Sequence, residues 1–416
     1  MRKGSLKKAL SIVLLGAMTA TTMIGFTGCG SDSESESDSN ELAFWAYEPQ
    51  SLEDKNDFES LIAQFTEDTG IKVKVSFVPK DSFNTKLNSA LANGKGPDVS
   101  YLDQPRMAEF GSDGTLVDLT DKIEQSEVIH KEDFFESAYS TCLIDEKAYG
   151  VPLTITTSVF LYNKKLVNEN NLPKDWDDML KIAKEVAANP TKAAFDGIGS
   201  GGYASWYFQA FLNCAGGSYT NEDMTALTFN DQHGVDACQF LVDLYSYSPE
   251  EIRNSTSAFG NGNVAFTLGG GSDIDSLQTN FPDLDFGAML IVPQEEGGTS
   301  YSNIGGENLV VYSDSNKQDE AFQFIEYLTK EENSEKVAEY TGNFSSLKAL
   351  AKTDDPLKAV VLEQLNTAVA RPQIDGWLEV NDNYLASALE KIINGDDIQK
   401  NLDDAVSTAS AALGLE

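Results

Sequence analysis

Few side chains in this sequence could catalyse a reaction. Ser200 lies between two glycines, but Ile198 occupies the place of the outer glycine that a nucleophile elbow requires. The only histidines are His130 and His233, so a Ser-His-Asp arrangement has few candidate bases. Carboxylate pairs occur throughout so acidic a chain and therefore identify no glycosidase site. We predict that the protein is not an enzyme.

The sequence also lacks the patterns of bound cofactors. The run GGGS at 269–272 has no phosphate-loop lysine, so it does not predict a nucleotide site. Cys142, Cys214 and Cys238 lack the short paired spacing of zinc ligands, and at most one disulfide can form among them. Cys214 and Cys238 lie in apolar or helical stretches, which favours burial as small apolar side chains. We expect no cofactor and no metal ion.

Cys29 follows a segment with the features of an export signal. Four basic residues lie within 2–8, an apolar run covers 9–24, and small residues precede the cysteine. The ending TGC resembles the box of bacterial lipoproteins, in which the cysteine is acylated. This resemblance implies a signal peptide over 1–28, a lipid such as palmitate on Cys29, and attachment to the extracellular face of the cell membrane. A plain signal with a free cysteine is the alternative.

The composition after this signal indicates a soluble, exported protein with a neutral ligand. Residues 29–41 are rich in serine and acids and should form a solvated linker. The formal net charge of −36 argues against nucleic-acid binding. Only Arg106, Arg253 and Arg371 follow the signal, which leaves few clamps for phosphate or carboxylate. No apolar run reaches the length of a membrane-spanning helix.

Strand and helix patterns alternate along the chain. Strand patterns lie at 42–47, 71–78, 98–102, 158–162, 286–292 and 307–312, and helical patterns at 51–69, 82–92, 175–188, 203–212, 234–245, 317–329, 385–393 and 398–413. The alternation in the first part predicts a mainly parallel α/β sheet. Because the chain is longer than one core usually supports, we expect two lobes joined by more than one crossing.

Several motifs, in order, resemble those of the extracellular solute-binding proteins of sugar ABC importers, of the maltodextrin-binding type. They are GKGPD at 94–98, YGVP at 149–152, LYNK at 161–164, LPKDWDD at 172–178, DFG at 285–287 and GGEN at 305–308. Together they cover nearly all of residues 42–413. The resemblance implies a two-lobed α/β fold like that of periplasmic binding proteins, with a cleft between the lobes and multiple interdomain crossings.

The resemblance also implies a domain organisation and a function. The N-terminal lobe would comprise 42–157 and 309–355, and the C-terminal lobe 158–308 and 356–416. The protein would be a monomeric cell-surface lipoprotein that captures a neutral mono- or oligosaccharide and delivers it to the membrane permease of an ABC transporter. The alternatives are a ligand-sensing subunit for a membrane receptor and an anchored extracellular glycoside hydrolase.

A sugar ring has apolar faces and hydroxyl edges, so its site requires aromatic platforms and polar groups. We predict Trp377 and Trp206 as platforms because each follows a glycine-containing turn near a helix start, and Trp377 stands where the family carries a stacking aromatic. Trp45, at the end of the first strand, is a third candidate. Packing in the core is the alternative for each of them. Trp176 lies in a capping-box pattern and is predicted to pack at a helix start instead.

The polar groups of the site are predicted at strand ends and crossings, where parallel α/β folds bind ligands. They are Tyr47, Glu48, Asp103, Asp273, Glu307 and, in the motif before Trp377, Arg371. Surface solvation or helix capping is the alternative for the acids. The run at 269–272 stands where the family often has a tryptophan in a loop, so the resemblance does not by itself imply maltodextrin as the ligand.

Overall fold

The computed structural model describes residues 41–49 and 51–415, apart from the side chain of Asp81. These residues belong to one compact unit. The predicted signal peptide, Cys29 and the linker up to residue 40 lie outside the described residues. None of the described helices is both long and apolar enough to cross a bilayer.

The strands are numbered in chain order within the described residues. They are β1 (Glu41–Tyr47), β2 (Lys72–Val78), β3 (Val99–Asp103), β4 (Leu143–Ile144), β5 (Lys147–Ala148), β6 (Val151–Pro152), β7 (Thr154–Thr157), β8 (Val159–Asn163), β9 (Ala193–Phe195), β10 (Val264–Gly269), β11 (Phe286–Met289), β12 (Ser302–Gly305), β13 (Glu307–Val311), β14 (Phe344–Ser345) and β15 (Ala368–Val369). β4 and β5 form a separate hairpin, and the other strands form three sheets.

The α-helices are numbered in the same way. They are α1 (Leu52–Thr69), α2 (Lys80–Ala92), α3 (Met107–Ser112), α4 (Thr120–Gln125), α5 (Glu136–Ser140), α6 (Trp176–Ala187), α7 (Gly202–Cys214), α8 (Gln232–Ser246), α9 (Glu250–Arg253), α10 (Gly271–Asn280), α11 (Gln318–Thr329), α12 (Glu331–Thr341), α13 (Pro356–Gln364), α14 (Trp377–Glu379), α15 (Ala386–Ile393) and α16 (Ile398–Leu413). A π-helical segment, Val380–Leu385, joins α14 to α15. Short 3-10 helices occur at Gln104–Arg106, Lys131–Asp133, Glu169–Asn171, Lys348–Leu350 and Leu365–Thr367.

The first sheet has the strand order β2-β1-β3-β13-β6 and is the centre of what we call the first lobe. β1 pairs in parallel with β2 and β3, since α1 and α2 carry the chain back between these strands. The Ser51 side chain caps α1 by accepting from the Asp54 N–H, and Gly70 ends the helix at φ 75. Phe44 of β1 lies in a buried cluster with residues of α1, α11 and β13.

The first sheet is mainly parallel, as predicted: β2, β1, β3 and β6 run in one direction, and β13 alone runs in the opposite direction. β13 pairs antiparallel with both β3 and β6. β13 follows β12 directly, with only Gly306 between them, and so enters the sheet as the chain returns from elsewhere in the fold. This reversed direction places the first residue of β13, Glu307, opposite the last residue of β3, Asp103.

The second sheet, with the order β11-β8-β10-β9, is the centre of the second lobe. Its faces are covered by helices that include α6, α7, α8, α15 and α16. Trp176 at the start of α6 stacks on Phe240 with ring centroids 4.4 Å apart and donates to the Val292 carbonyl at 3.0 Å. The predicted packing role of Trp176 is therefore confirmed.

A third sheet, with the order β14-β7-β12-β15, is formed where the chain passes between the lobes. Along the chain, β7 lies between β6 of the first sheet and β8 of the second. β12 pairs antiparallel with β7 and then continues into β13 of the first sheet. The lobes are thus joined by several hydrogen-bonded strands. The residue boundaries of the lobes given above stay a prediction.

Candidate ligand-binding site

A cavity of about 570 Å³ is lined by residues of both lobes and of the third sheet. Its lining comprises Lys80, Asn84, Asp103, Thr156, Gly201, Gly202, Tyr203, Trp206, Tyr207, Gly270, Ser272, Asp273, Gly305, Gly306, Glu307, Asn343, Arg371, Leu378, Asn381 and Asp382. The volume lies within the range of small-molecule sites. Five of the nine ligand-binding residues predicted from the sequence are in this lining: Trp206, Asp103, Asp273, Glu307 and Arg371.

Three predicted site residues of the first lobe, a tyrosine and two acids, lie at one edge of its sheet. Tyr47 ends β1, Asp103 ends β3, and Glu307 begins the antiparallel β13. All three lie at the same edge because β13 runs opposite to β3. Tyr47 itself is not in the cavity lining, but the Lys80 ammonium, which is, lies 5.3 Å from the centre of its ring.

Glu307 is the most buried acid of the site, with 4% of its surface exposed. Its Oε1 atom lies 3.5 Å from the Lys80 ammonium, and its buried Oε2 has no hydrogen-bond partner among the described residues. Burial raises the pKa of this carboxyl, whereas the positive charge of Lys80 acts in the opposite direction. Glu307 in turn raises the pKa of Lys80. The free carboxylate oxygen is a ready acceptor for a ligand hydroxyl.

Arg371 connects the segment after β15 to the first lobe. Its Nη2 atom donates to Asp103 Oδ1 at 3.1 Å, and its side chain is only 10% exposed. Lys80 and Arg371 are the only cations in the cavity lining of the described residues, and each lies beside an acid. The Arg371 charge is thus paired in a largely buried setting, whereas Lys80 is 65% exposed and only loosely paired with Glu307.

The second lobe contributes an aromatic face from α7. Tyr203, Trp206 and Tyr207 are spaced three and four residues apart, which places them on one side of the helix. The Tyr203 and Trp206 rings meet edge to face at 6.4 Å, and the Trp206 and Tyr207 rings are 5.0 Å apart. Tyr203 is 62% exposed, so its ring is accessible to a ligand in the cavity.

Trp206 is held in place by the third sheet. Its indole Nε1 donates to the Ile304 carbonyl at 3.3 Å. Its ring also lies over Gly305, where a Cβ atom would come within 3.2 Å of the indole Cζ2. The aromatic face of the second lobe is thereby fixed against β12, a strand that crosses between the lobes.

The π-helical segment contributes amides and acids opposite α7. Asn381 Nδ2 donates to the Gly202 carbonyl at 3.2 Å and to Asp382 Oδ1 at 2.7 Å. The Ser205 hydroxyl donates to the Asn381 carbonyl at 2.6 Å, which satisfies a backbone group that regular α-helical bonding would otherwise use. Asn381 Oδ1 is buried without a partner in the described residues. A π-helical turn is rare and frequently occurs at a functional site.

The platform role predicted for Trp377 does not fit its place in the structure. Its side chain is 1% exposed, belongs to the core of the second lobe, and packs on Tyr219 with ring centroids 5.1 Å apart. It is not part of the cavity lining, although its neighbour Leu378 is. The physical reason is that Trp377 faces the core of the second lobe, whereas Asn381 and Asp382 of the following π-helical segment line the cavity.

Two further predicted residues lie away from the cavity lining. Trp45 is half-buried in β1 and meets Phe83 edge to face at 6.4 Å. Glu48 is exposed, and its backbone N–H donates to the Val78 carbonyl. Asp273, by contrast, lies in the lining, and it also accepts the Gly270 N–H at 2.8 Å at the start of α10.

The sequence reasoning missed most of the polar and aromatic residues that line the cavity. Tyr203 and Tyr207 flank Trp206 at helical spacing, and this pattern could have identified them. Asn381 and Asp382 carried no comparable signal, because nothing in the sequence marks the π-helical turn.

No group of three or more metal-binding side chains comes together in the described part of the chain. The three cysteines described there, Cys142, Cys214 and Cys238, are free thiols. Burial raises the pKa of each thiol, so all three stay protonated and unreactive at neutral pH.

Comparisons with known proteins agree with this geometry. Residues 60–362 match the profile of the family described as bacterial extracellular solute-binding protein. The galactooligosaccharide-binding protein of Bacillus subtilis (strain 168) is 24% identical over 426 residues, which span 95% of this chain and 96% of the relative. The maltodextrin-binding protein MdxE of the same organism is 24% identical over 424 residues, with 97% and 96% covered.

A solved structure shares the fold. The cyclic alpha-maltosyl-1,6-maltose binding protein from Arthrobacter globiformis has a TM-score of 0.78 and 24% identity, covering 90% of this chain and 98% of that one. Fold and cavity together define a two-lobed α/β binding protein, as predicted from the sequence. The chain belongs to the bacterial extracellular solute-binding protein family. This is a family of binding proteins rather than enzymes, so the resemblance inferred from the sequence motifs is confirmed at the level of the family.

Proposed function

We propose that this protein captures a neutral oligosaccharide in the cavity between its lobes and delivers it to the permease of an ABC transporter. The observation that carries the proposal is the combination of three aromatic rings on α7 with carboxylate and amide groups around them. Aromatic rings pack on the apolar faces of pyranoses, and carboxylates and amides bind their hydroxyl edges.

The charges of the cavity support a neutral ligand. Lys80 and Arg371 each lie within 4 Å of an acid, whereas Glu307 Oε2 and Asn381 Oδ1 have no partner among the described residues. The site therefore offers unpartnered hydrogen-bond acceptors, while each of its two cations has an acid beside it. The names of the relatives, which include galactooligosaccharide- and maltodextrin-binding proteins, support a saccharide of more than one ring.

Attachment to the cell surface is part of the same proposal. The basic start, apolar run and TGC ending of residues 1–29 support a lipid on Cys29, with the acidic segment up to residue 40 as a tether. A tethered monomer would stay beside the membrane permease that receives its ligand. The role as a sensor for a membrane receptor and the role as an anchored hydrolase have no specific support from the cavity.

A calorimetric screen tests the ligand class. The purified mature protein is titrated with neutral mono- and oligosaccharides of the maltose, galactose and arabinose series, and with uronic-acid oligomers as the charged control. Scanning calorimetry of the same mixtures measures unfolding. A ligand present at a hundred times its dissociation constant should raise the free energy of unfolding by about 2.7 kcal/mol. Binding of uronic acids in preference to every neutral saccharide would contradict the proposal.

A further inference from the structure

A second, smaller cavity lies beside the one already described. It has a volume of about 250 Å³, and we call it the side chamber. Asp273 lines both cavities, so the two share a wall. The polar lining of the side chamber includes Asp196, Thr267 and Ser276, and its apolar lining includes Phe259, Leu277 and Phe281.

Strand topology explains why the two cavities adjoin. β9 and β10 pair in parallel, with Phe195 of β9 opposite Phe266 of β10. Asp196 therefore follows the end of β9 at the same sheet edge where Gly270 follows β10. Ligands of α/β folds bind at this edge, the carboxyl ends of parallel strands.

Like the main cavity, the side chamber is lined by both aromatic and polar side chains. Phe281 is half-buried and lies against Gly260, where a Cβ atom would come within 2.6 Å of the ring. The Thr267 hydroxyl hydrogen-bonds with the Asp196 carboxyl, and Ser276 adds an exposed hydroxyl. An aromatic ring on one side and hydroxyl and carboxyl groups on another fit a ring with an apolar face and hydroxyl edges.

The charges of the side chamber argue against an anionic ligand. Its lining contains two carboxyls and, among the described residues, no lysine, arginine or histidine. An anionic sugar would meet only negative or neutral groups there. Burial raises the pKa of Asp196 to about 7, so this carboxyl is partly protonated at neutral pH and can donate as well as accept a hydrogen bond.

We infer that the side chamber holds a further neutral sugar ring of the same ligand, so that the protein selects longer oligosaccharides over disaccharides. This inference rests on the proposed function, because it extends the saccharide of the main cavity past Asp273. Asp196 and Phe281 then act on specificity for chain length rather than on recognition of the first ring.

Filling the side chamber tests the inference. Ser276→Trp replaces a small exposed residue of α10 with a ring large enough to occupy the chamber. Thr279→Trp, at an exposed position of the same helix that lines neither cavity, is the matched control. Affinities for the di- and tetrasaccharides of the maltose, galactose and arabinose series are measured by calorimetry. In Ser276→Trp, affinity for the tetrasaccharide should fall about tenfold while affinity for the disaccharide stays within about twofold.

A second variant removes the polar contact without filling the space. Asp196→Leu should likewise lower affinity for the tetrasaccharide only, and its folding is checked by its melting temperature. If disaccharide and tetrasaccharide affinities change in parallel or not at all in both variants, the inference is overturned while the proposed function stands. If no neutral saccharide binds the unchanged protein, both are overturned.

The same titrations distinguish a neutral ring from a cationic one. Oligosaccharides with free amino groups are included as a separate series. If they bind more tightly than the neutral tetrasaccharides and lose this advantage in Asp196→Leu, the chamber is a cation site and its assignment to a neutral ring is wrong.

Discussion

Arg371 donates to Asp103 at 3.1 Å and so joins two segments that lie 268 residues apart in the sequence. Asp103 ends a strand of the first lobe, whereas Arg371 follows β15 of the third sheet. Both side chains also line the main cavity. The ion pair therefore holds two distant segments of the chain together at a position that also lines the ligand site.

A double-mutant cycle on this pair should give a coupling of about 1–3 kcal/mol in the free energy of unfolding, between the values of exposed and buried ion pairs. The variants are Asp103→Asn, Arg371→Met and the combination of both. The intermediate value is expected because Arg371 is 10% and Asp103 31% exposed. Urea unfolding measures each variant, and additive effects of the two substitutions would contradict a direct interaction.

Trp206→Ala should weaken saccharide binding by about 2–4 kcal/mol, in the range of binding hot spots. The reason is the loss of the central ring of the α7 face. Trp206→Phe keeps an aromatic ring but loses the hydrogen bond to the Ile304 carbonyl, and it should retain most of the affinity. Calorimetry compares the two variants, and equal affinities for Ala and Phe would show that the ring is not a platform.

Trp377→Ala should lower the free energy of unfolding by about 3–5 kcal/mol, the cost of removing a large core side chain. The ring is packed against Tyr219 in the second lobe, so the substitution leaves a void. Urea melts give the stability and calorimetry gives the affinity of the protein that remains folded. A loss of affinity with unchanged stability would restore the platform role predicted from the sequence.

Asp196 should make the protein less stable as the pH rises from about 4 to about 7. Its pKa is raised to about 7 by burial, against about 3.9 in the unfolded chain. Between these values the folded state binds the proton more tightly, so this stabilisation is complete below pH 4 and is lost as pH passes 7. The contribution is about 4 kcal/mol at 1.36 kcal/mol per pH unit.

Asp196→Asn should remove this dependence. Urea unfolding at several pH values from 4 to 8 measures it, with Asp223→Asn in an exposed turn as the control for a lost acid. The same slope in Asp196→Asn and in the unchanged protein would assign the pH dependence to other groups, among which Asp273 also has a pKa raised by burial.

Cys29→Ala should prevent lipid attachment, because the proposed function assigns the lipid to the Cys29 sulfur. Metabolic labelling with a radioactive fatty acid should mark the unchanged protein and not the variant, which would be released into the medium or remain unprocessed. Cys142→Ala, which removes a buried thiol instead, is the control. Equal labelling of the Cys29→Ala variant would rule out this cysteine as the attachment site.

Local patterns in the sequence predicted the elements of this fold well. The cap of α6 at Asp175 and the end of α1 at Gly70 depend on a few neighbouring residues, so both can be predicted from the sequence. The direction of β13 cannot, because it depends on how the chain returns from the second lobe. The same reversal brings Glu307 to the edge where Asp103 lies, so the acid was placed at the site although the direction of its strand was not predicted.

The candidate site was predictable only where its residues follow a strand end or share a helix face. Asp103 and Trp206 meet these conditions. Trp377 appeared equivalent to Trp206 because both follow glycine at a helix start, yet one side chain is core and the other lines the cavity. The difference lies in what each ring packs against, Tyr219 in the core for Trp377 and β12 for Trp206, and these partners are distant in the sequence.

The π-helical segment Val380–Leu385 has a consequence for how this site can change. Successive residues of an α-helix are rotated by about 100° around the helix axis. A π-helical turn contains about one residue more than an α-helical turn. Deleting one residue within the segment would therefore restore α-helical register and rotate Trp377 relative to α15. The wall of the cavity that now presents Asn381 and Asp382 would acquire different side chains without any substitution. Ligand preference could thus diverge among related chains through a single-codon insertion or deletion at this point.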